Sequence, residues 1–196
     1  VIARVVLATR NAGKARELEV LLRGIAARIE TLADHPDVIL PPEGDGSYAE
    51  NALVKARAVR SALGLAAVGD DSGLEVDALD GAPGILSARY AGEKADDRAN
   101  NALLLERLSG VTSDRRTARF RCALALAEPG GRETCVEGTC EGSILEAPRG
   151  DGGFGYDPLF LPRGESGSFA ELPPGVKDAI SHRGKAAAAL MKMVRK

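Results

Sequence analysis

What this 196-residue chain lacks narrows its function quickly. It has no tryptophan, and three tyrosines and four phenylalanines are its only aromatics. It has two histidines, His35 and His182, which puts a His-rich metal site out of reach. Three cysteines, Cys122, Cys135 and Cys140, form an odd set without C-x-x-C spacing. A disulfide framework is therefore not expected and a reducing cytoplasm is the expected home, with the three thiols, in or beside strands, predicted to be buried packing residues rather than reactive ones. No apolar run reaches the ~18 residues that a membrane helix needs. The G-x-S-x-G spacing of a nucleophile elbow is absent, so Ser-His hydrolysis has no support. An excess of one charge is missing too: 26 Lys and Arg meet 28 Asp and Glu, for a net charge of -2. That balance argues against holding nucleic acid by bulk charge.

What is present is ordinary globular material, 44% hydrophobic and 28% charged, enough for one domain over residues 1–196. The pattern alternates. Val5 to Ala8 reads as a buried strand, Thr9 to Lys14 as a polar turn, and Leu18, Leu21, Leu22 and Ile25 as a helix stripe. A second strand is expected from Arg28 to Leu32, then a loop from His35 to Gly46, where three Pro and two Gly fall. Glu50 to Leu63 predicts a helix buried through Leu53, Ala56, Val59 and Leu63. A strand from Leu65 to Gly69 should end at Asp70-Asp71-Ser72-Gly73, with another short one from Leu74 to Leu79. A helix over 97–108 is followed by strands over 117–127, 132–140 and 142–146. The Gly-rich run 150–158, a polar connection over 162–175 and a final helix over 185–196 complete the chain. Helices alternating with strands, then a β-rich stretch, give an α/β class with a mixed sheet.

Five segments could carry chemistry, and each has a plain alternative. Thr9-Arg10-Asn11-Ala12-Gly13-Lys14 links a strand to a helix start, where backbone N–H groups and the dipole favour an anion. It is not a Walker A loop, and an ordinary capped turn is the alternative. Asp70 and Asp71 could hold a hard Mg²⁺ with Glu43 of the Pro/Gly loop, or merely cap a turn. Alternation along a strand lets both Asp serve one ion only if the strand has already broken. Lys55 falls on the far side of its helix from Leu53, which favours a solvated lysine. Phe154, Gly155, Tyr156 and Asp157 could present a ring to a flat ligand, or tuck Phe154 into the core. Lys177 and Ser181-His182-Arg183 place cations at a helix start, against the dipole. They read either as donors for an acidic or carbonyl-rich ligand or as a solvated basic cap.

Taken in order, the segments resemble the inosine triphosphate pyrophosphatase family, which acts on noncanonical purine nucleoside triphosphates such as dITP and XTP. The matching stretches are Leu7 to Lys14, Tyr48 to Ala52 with Lys55-Ala56, Asp70 to Leu74, and Gly81 to Gly84. Ser87 to Tyr90, Phe154 to Pro158, and Ile180 to Arg183 complete them. The resemblance implies an α/β fold with an elongated mixed sheet flanked by helices, two lobes with a central active-site cleft, and a homodimer. It implies that Thr9, Asn11 and Lys14, within the turn that includes Arg10, Ala12 and Gly13, hold the triphosphate with Lys55 assisting. Glu43 and Asp71 would bind Mg²⁺ with Asp70 nearby, Asp71 would be the general base, and Ser72 would contact substrate. Phe154 would stack on the base within the run Gly155-Tyr156-Asp157, and Asp157, Lys177, His182 and Arg183 would bind the nucleoside. The chain departs from the family pattern at Arg10, where a small residue is common. It also departs at Pro173-Pro174-Gly175-Val176, which replaces a more helical, acidic approach to Lys177.

The expected reaction is hydrolysis of ITP, dITP or XTP to the monophosphate and pyrophosphate, with base choice resting on the 6-keto group and Arg183 as its donor. Neither a nucleic acid nor a membrane is an expected partner. A house-cleaning hydrolase for modified pyrimidine or methylated nucleotides and a non-enzymatic nucleotide or nucleic-acid binder remain as other readings.

Overall fold

The structure, a computed structural model, describes residues 2–194. Six strands form one mixed sheet in the order β2-β1-β3-β4-β5-β6. They are β1 (Ile2–Ala8), β2 (Ala26–Thr31), β3 (Ala66–Val76), β4 (Thr117–Ala127), β5 (Glu133–Ile144) and β6 (Phe160–Pro162). The helices are α1 (Ala12–Leu21), α2 (Tyr48–Leu63), α3 (Asp97–Arg107), α4 (Pro174–Ile180) and α5 (His182–Val194). β1 runs parallel to both β2 and β3, so each connection needs a crossover, which α1 and α2 supply. β6 closes the far edge antiparallel to β5. No helix among the described residues is long and apolar enough to cross a membrane.

The chain divides into two compact units. The first takes Val1–Asp71, Cys122–Gly138 and His182–Lys196, and the second takes Ser72–Arg121 and Thr139–Ser181. The first unit's core joins Val5 and Leu7 of β1 to Leu18 of α1, Val68 of β3, Leu124 of β4 and Leu190 of α5. In the second unit, Leu74 and Val76 pack with Leu104, Phe120, Ile144, Tyr156, Phe160 and Phe169.

Several boundaries differ from the sequence expectation. β3 does not stop at Gly69 but continues unbroken to Val76, taking in Asp70 and Asp71. The expected strands 132–140 and 142–146 are one strand, β5. β6 is too short to show a period, and α4 lies at and beyond the end of what reads as polar connection. Its Pro174 stands in the first turn, where a missing N–H goes unnoticed and φ is already suited to a helix. α2 begins at Tyr48, ahead of the expected start, because Ser47 and Glu50 form a reciprocal capping box. Cys122 and Cys140 are buried as expected, but Cys135 is exposed, since it falls on the outward phase of β5. The last two residues of the expected 185–196 helix lie outside the described residues.

Candidate active site

The register of the parallel strands sets up the first cluster. Ala8, the last residue of β1, pairs with Gly69 of β3, so the turn that follows β1 is level with Asp70 and Asp71. Gly69 also brings α2 close: a Cβ there would lie 2.0 Å from the Ala52 carbonyl oxygen. The face of α2 that this approach buries is Tyr48, Asn51, Ala52, Lys55, Ala56 and Val59, rotated from the expected Leu53 stripe. Lys55 is therefore buried, not solvated, because small Ala52 and Ala56 admit the strand and carry the neighbouring polar side chains with them.

The polar tips on that face converge on Asp71. Lys55 Nζ donates to Asp71 Oδ1 at 3.1 Å, to the Asp70 carbonyl at 3.0 Å, and to the Glu43 carboxylate. Asn51 Nδ2 donates to Asp71 Oδ2 at 3.1 Å. The same amide exchanges hydrogen bonds with both backbone groups of Gly44, at 3.0 and 3.2 Å, which fastens the loop next to Glu43. Burial pushes the Asp71 carboxyl above its ordinary range, against the pull of Lys55 and Lys14. Burial alone would lower the Lys55 ammonium, but Asp71 and Glu43 outweigh it and hold it high.

Asp70 belongs to a different set of partners. β3 is extended through both residues, so the two carboxylates leave on opposite faces and Asp70 does not join the Glu43–Asp71 pair. Lys14 Nζ lies 2.6 Å from Asp70 Oδ1, and Arg183 Nε donates to Oδ2 at 2.9 Å. Arg183 Nη1 donates in turn to Glu17 Oε2 at 2.5 Å. Burial alone would raise the Asp70 carboxyl, yet Arg183 and Lys14 hold it far below the ordinary range. Arg183 and His182 are thus buried and not a solvated cap, and the Arg183 guanidinium is engaged with Asp70 and Glu17.

Around Lys14 the turn is built from its own side chains. Thr9 Oγ1 accepts from Asn11 N at 3.2 Å, and Asn11 Oδ1 caps α1 by accepting from Lys14 N at 3.0 Å. Ala12 and Gly13 form the first turn of the helix. Arg10 is directed elsewhere: it is exposed, and its guanidinium donates to the carbonyls of Val38 at 2.5 Å and Pro36 at 3.4 Å. Ser72, half-buried, follows Asp71 along β3.

The second unit holds the remaining candidates. Asp157 Oδ2 accepts from Phe154 N at 2.9 Å and from Lys177 Nζ at 2.5 Å. Lys177 is buried, and its ammonium stands 5.2 Å from the Phe154 ring centroid and 5.6 Å from that of Phe169. Pro173-Pro174-Gly175 does not displace it, since α4 starts at Pro174 and delivers Lys177 from its first turns. Gly153 makes the short Asp157 contact possible, because a Cβ there would fall 2.0 Å from Asp157 Oδ2. Tyr156 is buried, donates to the Ser87 carbonyl at 2.8 Å, and is pushed well above its ordinary pKa by burial. Phe154 stays half-buried.

Glu17 escapes a reading of the sequence, and Asn51 is reached only as part of the segment Glu50-Asn51-Ala52, without a role of its own. Asn51 shows no charge, and its signal is only its place one turn before Lys55 on the same helix face. Glu17 is three residues from Lys14 on α1, a spacing that puts both on one side.

The Ham1 family model matches residues 5–193, a span that includes every residue of both clusters. The chain belongs to the Ham1 family. A relative named dITP/XTP pyrophosphatase from Geobacter sulfurreducens is 51% identical over 187 residues, covering 95% of this chain and 94% of that protein. Among solved structures, a HAM1 protein from Coxiella burnetii superposes with a TM-score of 0.87 at 38% identity, covering 99% of both chains. A nucleoside-triphosphatase, also titled dITP/XTP pyrophosphatase, from Mycobacterium abscessus gives a TM-score of 0.76 at 49% identity. That match covers 96% of this Ham1 chain and 98% of the other.

Proposed function

We propose that this Ham1 protein hydrolyses noncanonical purine nucleoside triphosphates, namely ITP, dITP and XTP, to the nucleoside monophosphate and pyrophosphate, with Mg²⁺ as cofactor. The observation that carries the reading is the buried Lys55–Asp71 pair joined by the half-buried Glu43, with Asn51 fixing the second Asp71 oxygen. The name shared by relatives at about half identity supports the substrate class.

A divalent ion fits these residues. Glu43 and Asp71 already share one cationic partner, Lys55, so two carboxylates converge on positive charge. Among the described residues no group of three or more His, Cys, Asp or Glu is placed to hold a metal. Two carboxylates suit Mg²⁺, which keeps water and takes substrate oxygens for its remaining positions. When bound by Glu43 and Asp71, the ion supplies charge neutralisation and polarises phosphoryl oxygens.

The chain's own residues do the rest. Thr9, Asn11 and the start of α1 offer donors to the phosphates, and Lys14 and Lys55 offset negative charge that grows on the leaving pyrophosphate. Arg183 acts at this end by holding Asp70, which in turn aims Lys14. Asp71 orients the attacking water or takes its proton, a task suited to a carboxyl that burial has raised. Asn51 and Lys55 keep its two oxygens from turning away. At the base end, Phe154 stacks on the purine while Lys177 and Asp157 hold the nucleoside. A keto oxygen at position 6 accepts from such donors, whereas an amino group there confronts them with a second donor.

The test is product analysis with a panel of ITP, dITP, XTP, ATP, GTP and a modified pyrimidine triphosphate. Monophosphate and pyrophosphate should appear from the first three well ahead of the others. Preferential cleavage of the pyrimidine, release of orthophosphate and a diphosphate, or binding without turnover would each overturn the proposal.

A further inference from the structure

The run 153–157 of the second unit carries both the ring and the carboxylate of the base end, and a helix remote in sequence holds its middle. Asp97 and Asn101 stand four residues apart on α3, hence on one face. They grip the two polar groups of a single residue. Gly155 N donates to Asp97 Oδ2 at 2.6 Å, and Asn101 Nδ2 donates to the Gly155 carbonyl at 3.0 Å. Gly155 has φ +61, and a Cβ there would meet nothing within 4 Å, so the glycine serves the left-handed backbone and not a close approach. Asn101 Oδ1 is buried without a hydrogen-bond partner. An acceptor left that way works against stability, so what this amide contributes is its bond to Gly155. The neighbour Tyr156 is tied separately, through its hydroxyl, to the Ser87 carbonyl.

We propose that Asp97 and Asn101 are positioning residues for the base. By clamping Gly155 on both sides they hold the turn that sets the tilt of the Phe154 ring and aims Asp157 at Lys177. The proposal rests on the reading that Phe154 stacks on a purine. Neither residue touches substrate; both act through Gly155. Loss of either bond lets the turn sample other conformations, so the productive one must be selected before the base can stack. The phosphate end, built from residues of the first unit, is untouched by the change.

The experiment compares wild type with Asp97→Ala, Asn101→Ala and Asp97→Asn in three readouts. These are amide hydrogen exchange across 153–157, steady-state kinetics with ITP, and competitive inhibition by pyrophosphate. The two alanine variants should exchange the Gly155 amide about tenfold faster. They should raise KM for ITP about fivefold with kcat nearly unchanged, and leave inhibition by pyrophosphate as it was. Asp97→Asn keeps an acceptor oxygen and should restore both exchange and KM. Unchanged exchange overturns the clamp whatever the kinetics show. Faster exchange with an unchanged KM overturns its role in base binding. A fall in kcat together with weaker pyrophosphate inhibition overturns positioning in favour of a general structural role. A wild-type chain that leaves ITP intact overturns the functional reading, and the base-binding half of this proposal with it, while the exchange arm still decides the clamp.

Discussion

The two units bury polar groups by opposite strategies. In the first, Lys14, Glu17, Glu43, Lys55, Asp70, Asp71 and Arg183 form a chain of ion pairs, and the buried members Lys55, Asp70, Asp71 and Arg183 keep their charge through their partners. In the second, the site residues lie on an aromatic core, with Phe120 4.7 Å from Phe160 and Phe160 5.0 Å from Phe169. There the buried Lys177–Asp157 pair stands beside the rings. A dense field of paired charges suits a polyanion whose charge shifts during reaction, and a ring beside a cation suits a flat neutral base. The contrast predicts that damage to the first unit shows in turnover and stability, and damage to the second in substrate affinity.

The largest effect belongs to Asp71→Asn. Turnover of ITP should fall by about a hundredfold or more, as for loss of a proton-accepting group. Binding of the nucleotide, followed by calorimetry, should persist. A rate near wild type would erase the distinction between the units. Next comes Arg183→Ala, which leaves Asp70 and Glu17 without their shared guanidinium. Breaking a buried pair of this kind should destabilise the fold by about 3 kcal/mol, read from the denaturant midpoint. If stability holds and only the ITP-to-ATP preference drops, Arg183 belongs to base reading after all. Phe154→Ala should raise KM for ITP about tenfold, on the scale of one base–ring stack, with kcat and pyrophosphate inhibition little changed.

The smallest effect is acid sensitivity of the first unit. Hydrogen bonds from Arg4 and His35 hold Glu30 down at about 2, and those from Arg57 and Arg60 hold Glu133 at about 2, against an ordinary 4.5. A depressed carboxylate stabilises the fold fully above its unfolded pKa and loses that contribution as pH falls toward its folded one. The unfolding midpoint should therefore drop as pH falls from 4.5 toward 2. Glu133→Gln should flatten that limb while leaving neutral-pH kinetics alone. An unaltered acid limb would show that these pairs are too solvated to matter.

How far the sequence revealed this depended on whether a signal was local. β1, the turn at Thr9 to Lys14 and the loop around Glu43 are announced by residues adjacent in the chain. The buried face of α2 was not, because what turns Lys55 inward is Gly69, far along the chain, with no Cβ to keep the strand away. The continuity of β3 through Asp70 and Asp71 was hidden for a related reason. Paired aspartates read as a strand end, and only the cations waiting on each face make them tolerable inside one. Arg183 shows the same limit, since a helix-start arginine looks solvated until Asp70 and Glu17 are seen beside it. The second cluster was legible as a Gly-rich run with a ring. Its clamp from Asp97 and Asn101 was not, because neither residue type advertises a bond to a distant glycine.

The most direct test of the account is a cation titration of ITP turnover. Chelator-treated protein should release no pyrophosphate, and added Mg²⁺ should restore release in wild type but not in Asp71→Asn. Release at the untreated rate in the presence of chelator would contradict the role given to Glu43 and Asp71 as a cation-holding pair.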